Sequence, residues 1–385
     1  MTATCSRDER ATRAALSVLV EPGTPAAARV YREVLASGPA AAMRAVSTGS
    51  DALDPDRRMF RRASDVDGAA LLARGVAVDA RFCCPGDAEW PSVLDILEVT
   101  LDSSLRSGPP PLGLWIKGGA DLAAYCDRSV AVVGSRAATE YGERVATELG
   151  AELSAAGWTV VSGAAYGIDA AAHRGALAAG GTTVAVLACG VDTAYPSGHD
   201  QLLRRIAATG FVVSELPPGS RPSRSRFLAR NRLIAAMTRG TVVVEAAVRS
   251  GALNTAGWAL DVGRDILAVP GPVTSALSAG CHDLVRKGAA TLVTDAREVI
   301  DIVGDFGSDA AVEASGEVRV WDTLAPITRE VLEVLPARKA VSVDRVCRDT
   351  GLSASVCMAA LAELSVAGLV LCGPDGWRLA RRGGA

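Results

Sequence analysis

Val130-Ala-Val-Val-Gly-Ser-Arg-Ala-Ala-Thr-Glu-Tyr-Gly142 opens the region that decides the fold. A β-branched run ends in Gly134, and a helical pattern follows over 143–156. The alternation then repeats. Apolar runs at 159–161, 183–187 and 211–213 precede helical patterns at 169–179, 199–208 and 227–237. Runs at 242–244, 266–269 and 291–293 precede helical patterns at 253–262, 282–287 and 296–302. Short strands alternating with helices predict βαβ units and a mostly parallel sheet. Seven strands make an extended Rossmann-like α/β layer, assigned to residues 128–303.

Working outward, the segment before residue 128 is rich in Ala, Leu and Arg, with helical patterns near 13–20, 26–37 and 67–74. Cys84-Pro-Gly-Asp-Ala-Glu-Trp-Pro91 and Pro109-Pro-Pro111 mark turns and irregular chain. After residue 303, the stretch 304–322 has five acids, one Arg and little periodicity, and is expected to be an exposed linker. Helical patterns at 327–335, 343–349 and 354–367 then lead into strands at 369–372 and 377–379. Gly373-Pro-Asp-Gly376 joins the two strands. This order predicts a winged helix over 323–385.

Length and charge set limits. At ~100–200 residues per domain, 385 residues suggest two or three domains. The formal net charge is −3, with 43 acidic and 40 basic residues, which rules out a uniformly basic coat for nucleic acid. Residues 1–128 hold 15 basic and 17 acidic side chains, 129–300 hold 16 and 14, and 301–385 hold 9 and 12. Only the central region is positive. Nine cysteines, irregularly spaced in a long chain, predict reduced thiols and a cytoplasmic location. The thiols and the three His residues (His173, His199, His282) show no zinc-ligand spacing, so no metal is expected. No signal peptide or membrane span is visible.

Three turns carry the chemistry. In the first, Gly134 lets backbone approach a ligand, the next helix start favours anions, and Ser135 and Arg136 offer a hydroxyl and a forked donor. The spacing is neither G-x-G-x-x-G nor a P-loop, and strand two ends in Ser162-Gly163 with no carboxylate for a ribose, so no nucleotide cofactor is expected. In the second turn, Ser162-Gly-Ala-Ala-Tyr-Gly-Ile-Asp-Ala-Ala-Ala-His173, Asp169 is expected to N-cap a helix. Ser162, Asp169 and His173 lack a nucleophile elbow and are not read as a triad. The third, Arg249-Ser-Gly251, repeats the Ser-Gly pair with Ser250 and Gly251 after a strand that ends in Glu245. Glu245 could serve hydrolysis, but no partner base accompanies it. Glycine- and serine-rich turns thus recur at the strand ends where open α/β sheets hold ligands.

The window 216–244 contains Arg221, Arg224, Arg226, Arg230, Arg232 and Arg239 and no acid. Within it, Arg226-Phe-Leu-Ala-Arg-Asn-Arg232 places Arg226 and Arg230 on one helical face, with Phe227 or Asn231 available to a base. Six like charges without counter-ions repel one another, and basic side chains around an aromatic suit a sugar-phosphate backbone with stacked bases.

These strings, together with Val184-Ala-Val-Leu-Ala-Cys-Gly-Val-Asp192, Tyr195-Pro196, Ser214-Glu-Leu-Pro-Pro-Gly219 and Val269-Pro-Gly271, resemble the DprA (Smf) family of bacterial DNA-processing proteins of natural transformation. The resemblance spans most of the central region, in order. It implies an N-terminal helical domain over 1–127 (SAM or helix-hairpin-helix type), the Rossmann-like core and the winged helix. It further implies a non-enzymatic homodimer that binds single-stranded DNA, protects it, and loads RecA where single-strand-binding protein would block it. On that basis Gly134, Ser135 and Arg136 belong to a phosphate pocket, and Arg230, Asn231 and Arg232 lie near DNA. Arg224 or Arg226 is the basic position before Phe227, and Ser162, Gly163, Ser250 and Gly251 complete the site. The family commonly has Arg or Lys before Gly-Ile-Asp, where this chain has Tyr166; stacking would replace an ionic contact there, at ~1–3 kcal/mol per base.

Two other classes compete. Cytokinin-activating phosphoribohydrolases share a related fold, but their Pro-Gly-Gly-x-Gly-Thr-x-x-Glu motif is absent. A winged-helix transcription regulator needs cations on its recognition helix, whereas 353–368 has none and one acid, Glu363. The winged helix is therefore expected to bind a partner or serve an accessory role. Arg378, Arg381 and Arg382 form its one basic patch able to touch DNA.

Overall fold

A computed structural model describes residues 5–101, 108–305 and 324–380. The chain forms two compact units, one ending and the other beginning near residue 311. The expected linker lies outside the described residues from 306 to 322, as do Arg381 and Arg382.

The larger unit begins with helices α1 (Arg7–Leu19), α2 (Pro25–Ser37), α3 (Pro39–Ser47), α4 (Phe60–Ala63) and α5 (Gly68–Ala77). Ser6, Thr24 and Asp67 cap α1, α2 and α5, each accepting a first-turn N–H. Strands β1 (Arg81–Cys83) and β2 (Leu114–Gly118) follow, then α6 (Leu122–Asp127). The βα series comprises β3 (Ser129–Val133), α7 (Glu140–Ala155), β4 (Thr159–Ser162), α8 (Ile168–Ala178), β5 (Thr183–Val186), α9 (Asp200–Thr209), β6 (Phe211–Ser214), α10 (Arg224–Ala236), β7 (Gly240–Val243), α11 (Gly251–Asp261), β8 (Asp265–Ala268), α12 (Ala279–Arg286), β9 (Thr291–Leu292) and α13 (Ala296–Val303).

All nine strands form one sheet in the order β1-β2-β6-β5-β4-β3-β7-β8-β9. The seven expected strands are all present and parallel. β1 and β2 add an antiparallel edge beside β6, so the sheet starts before residue 128 and the N-terminal segment is not wholly helical. Side chains alternate across the sheet with the two-residue strand period. Val130 and Val132 pack with Leu149, Leu153 and Ile168 on the α7–α8 face, whereas Ala131 and Val133 pack with Leu233, Ile234 and Trp258 on the α10–α11 face. Both faces are covered, which is why these strands read as continuous apolar runs. Among the described residues no helix is long and apolar enough to cross a membrane.

The smaller unit holds α14 (Pro326–Glu333), α15 (Val343–Thr350), α16 (Ala354–Val366), β10 (Val370–Gly373) and β11 (Gly376–Leu379). Gly351 ends α15 with a left-handed φ of 73°, and β10 and β11 pair as the hairpin of a winged helix. Cys357, Leu361 and Leu364 point from α16 into its core, leaving Met358 and Val366 exposed. The outer face of α16 carries the acid Glu363 and offers no cation to a DNA groove.

Candidate nucleic-acid interface

The strand order reverses at β3, whose neighbours are β4 on one side and β7 on the other. In open α/β sheets a crevice opens at such a switch point, beyond the carboxyl ends of the strands. Three turns meet there. Ser135 N donates to the Glu245 carbonyl at 2.7 Å, and Ile168 N donates to the Ser135 carbonyl at 3.2 Å. A Cβ on Gly134 would lie 2.5 Å from Ile168 Cγ1 and 2.9 Å from the Glu245 carbonyl, so only glycine allows this approach. The Glu245 carboxylate is buried and accepts from Thr139 N (2.9 Å) and Thr139 Oγ1 (2.6 Å). It anchors the start of α7, which is the structural role its lack of a partner base pointed to.

Above these turns lies a cleft of about 750 Å³, walled by the β3 and β7 turns and by α10. Gly134, Ser135, Arg136, Arg224, Phe227, Arg230, Asn231, Ser250 and Gly251 all line it. Arg136 is exposed and stacks over Phe227 with its guanidinium carbon 4.8 Å from the ring centroid. Tyr195, 40% exposed, lies against the same ring at 5.3 Å between centroids. Arg224 and Arg249 are exposed on the rim and have no ion-pair partner among the described residues.

Arg230 is the buried cation of the cleft. Its Nη1 donates to the Val186 carbonyl at 2.5 Å, while its Nε has no partner among the described residues. Burial lowers its pKa to about 10; Asp169 opposes this shift and Arg136 adds to it. The guanidinium lies directly against Gly163, where any Cβ would overlap it. Gly163 therefore serves by making room for Arg230. Asp169 is not the N-cap of α8, a position held by Gly167. Its buried carboxylate instead accepts from Gly163 N (3.2 Å) and Ala165 N (3.3 Å). Burial raises its pKa against the opposing pull of Arg230 and those two N–H groups.

Several expected contacts lie elsewhere. Arg232 is fully buried: Nη2 bonds Glu215 at 2.8 Å and Nε donates to the Pro109 carbonyl at 3.0 Å. Asn231 spends its amide on the Gly251 carbonyl (3.3 Å) and Asn254 (3.2 Å), tying α10 to α11. Ser162 is buried, donating to the Val132 carbonyl at 2.6 Å. Tyr166 is half exposed, but it leans edge-on against His199 on the neighbouring loop and does not line the cleft. Arg226 turns away from Arg230 to Glu21, at 2.6 Å and 3.0 Å. A side chain as long as arginine reaches different partners from one helical face. Tyr195 and Arg249 join the cleft unforeseen; their positions after β5 and β7 were the available signal.

The absence of counter-ions within 216–244 is a property of the window alone. Glu215 pairs Arg232, Glu21 pairs Arg226, and Asp305 pairs Arg239 at 2.8 Å. Arg221, Arg224 and Arg230 make no ion pair among the described residues; of these Arg224 and Arg230 line the cleft, where Arg136 and Arg249 join them from outside the window.

Ser162, Asp169 and His173 do not assemble. His173 Nδ1 lies 2.7 Å from Thr183 Oγ1, whose own proton goes to the Val160 carbonyl at 2.6 Å. Thr183 must therefore accept, which fixes the proton on Nδ1 and leaves Nε2 bare and buried without a partner among the described residues. Burial chiefly lowers the His173 pKa to about 3, against ~6.5 in an unfolded chain. Between those values the unfolded chain binds the extra proton, so stability falls as pH falls through the window, at up to about 1.4 kcal/mol per pH unit. Urea unfolding at pH 7 and pH 5 should show the wild-type advantage over His173→Gln shrinking by about 2 kcal/mol on acidification. An unchanged difference would contradict this tautomer and burial.

The family model for DNA recombination-mediator protein A matches residues 81–304, and that for the DprA winged helix domain matches residues 320–376. The DprA-named protein of Mycobacterium tuberculosis strain H37Rv is 46% identical over 328 residues, covering 85% of this chain and 82% of its own. The X-ray structure of DNA processing protein A from Streptococcus pneumoniae superposes with a TM-score of 0.64 at 30% identity, covering 79% of this chain and 100% of that one. DNA processing protein A from Helicobacter pylori, whose structure addresses its single-stranded DNA binding mode, is 28% identical with a TM-score of 0.49, covering 55% of this chain and 92% of that one. With the family model spanning more than half of the sequence, the chain belongs to the DprA (Smf) family of DNA recombination-mediator proteins.

Proposed function

We propose that the cleft binds single-stranded DNA and that the chain acts as a recombination mediator without catalytic turnover. The observation that carries this reading is the convergence of Arg136, Arg224 and Arg249, none with an ion-pair partner among the described residues, around the Phe227–Tyr195 pair. Guanidinium forks suit phosphate oxygens, and the exposed Tyr195 ring beside half-buried Phe227 accepts any base by stacking. A duplex hides its base faces and leaves the rings idle. Glu245 is engaged by Thr139, and His173 is fully buried and does not line the cleft, so neither is placed as a general base there, which supports the non-catalytic reading over the phosphoribohydrolase one. Family membership supports the rest: a cytoplasmic homodimer that protects incoming single strands and hands them to RecA in place of single-strand-binding protein. The DNA contacts fall to Gly134, Ser135, Arg136, Arg224, Phe227, Arg230, Ser250 and Gly251, with Tyr195 and Arg249 added.

A gel shift comparing poly-dT with a matched duplex tests this. The expected result is a shift of poly-dT alone, followed by RecA filament formation on strands previously coated with single-strand-binding protein. Equal binding of duplex, or base release from a nucleotide, would overturn it.

A further inference from the structure

The chain between α3 and α4, together with α4, carries Pro55-Asp-Arg-Arg-Met-Phe-Arg-Arg62. Four arginines and a phenylalanine fall within six residues. All five are exposed, whereas Met59 and Ala63 are buried. Asp54 sets this pattern. Its buried carboxylate accepts the N–H of Arg58 at 2.9 Å and of Phe60 at 2.8 Å, closing the turn beneath the charged side chains. Arg57 has a φ of +54° and holds its guanidinium 5.8 Å from the Phe60 centroid. A non-glycine residue in that region persists only where its surroundings fix it.

Local acids do little to neutralise the patch. Asp51 and Asp56 stand 3.7 Å and 3.8 Å from Arg57 and Arg58, and all four side chains are more than half exposed. Such pairs are loose and water-screened. Arg61 has no ion-pair partner among the described residues.

Arg62 fixes where the patch lies. Its Nη2 donates to the Val18 carbonyl at 2.7 Å, and three residues later Glu21 is bonded to Arg226 of α10. Three Cα steps cover at most about 11 Å. Val18 and Glu21 thus tie the patch to the N-terminal half of α10, whose Arg224 forms the cleft rim.

We propose that Arg57, Arg58, Phe60 and Arg61 form a second contact for single-stranded nucleic acid leaving the cleft. The arginines take phosphates and Phe60 supports one base. This proposal rests on the cleft binding a single strand. It assigns the N-terminal helices a part in the DNA footprint.

Fluorescence anisotropy with poly-dT of about 6 and about 24 nucleotides separates the two claims. R58E/R61E is expected to bind the long strand about tenfold more weakly, with a log K against log[salt] slope shallower by ~1.4, from ~0.7 per lost phosphate. Binding of the short strand should match wild type. Unchanged long-strand affinity, or equal loss at both lengths with an unchanged melting temperature, overturns the second contact. Failure of wild type to bind either strand overturns the cleft reading instead. Should the charge reversal unfold the chain, R58Q/R61Q decides by the same length comparison.

Discussion

Arg232→Ala is expected to lower the unfolding free energy by about 3–5 kcal/mol, the usual cost of removing one partner from a buried ion pair. The guanidinium is fully buried and satisfies three acceptors: Glu215, the Pro109 carbonyl and the Ala229 carbonyl. Its loss strands the Glu215 carboxylate, whose side chain is only 13% exposed. It also empties space beside Gly108 and Trp258, where Arg232 Cδ now packs. Urea unfolding followed by tryptophan fluorescence measures the change. At temperatures where the variant stays folded, poly-dT affinity should remain near wild type. Lost affinity at unchanged stability would return Arg232 to the DNA surface.

The second large effect concerns the rim. Replacing Arg136, Arg224 and Arg249 together with alanine removes three phosphate partners while leaving Arg230 in its buried place. Single strands release ~0.7 counter-ion per neutralised phosphate, so at about 0.15 M salt the triple variant should bind poly-dT on the order of 50-fold more weakly. Loss of the Arg136–Phe227 stack adds to this. None of the three makes an ion pair among the described residues, so the melting temperature should barely move. A differential scan beside the anisotropy titration would check both halves. Full affinity in the triple variant would remove the rim from the site.

The parallel strands are legible in the sequence because both faces are buried, leaving unbroken apolar runs. β1 and β2 are not, being three and five residues long and set among prolines and turns. The glycine turns are legible as close approaches, and Gly134 and Gly163 are such places. What each approaches is a tertiary fact: Ile168 for one, Arg230 for the other. The arginine window is legible as a charge excess but not as a surface. Glu21 lies some 200 residues from Arg226, and Glu215 falls one residue outside the window. A local count cannot see partners that folding supplies. Arg249 lay in a turn already noted for its Ser-Gly pair, and the parallel with Ser135-Arg136 was the signal for it.

The most direct test is the slope of log K against log[salt] for poly-dT of about 6 nucleotides, short enough to stay within the cleft, binding to the wild type and to the triple variant. Arg136, Arg224, Arg230 and Arg249 should give a wild-type slope near −3, at ~0.7 per phosphate, and the triple variant should fall to about −1. Two equal slopes, or a wild-type affinity indifferent to salt, would contradict a single strand held by this cleft.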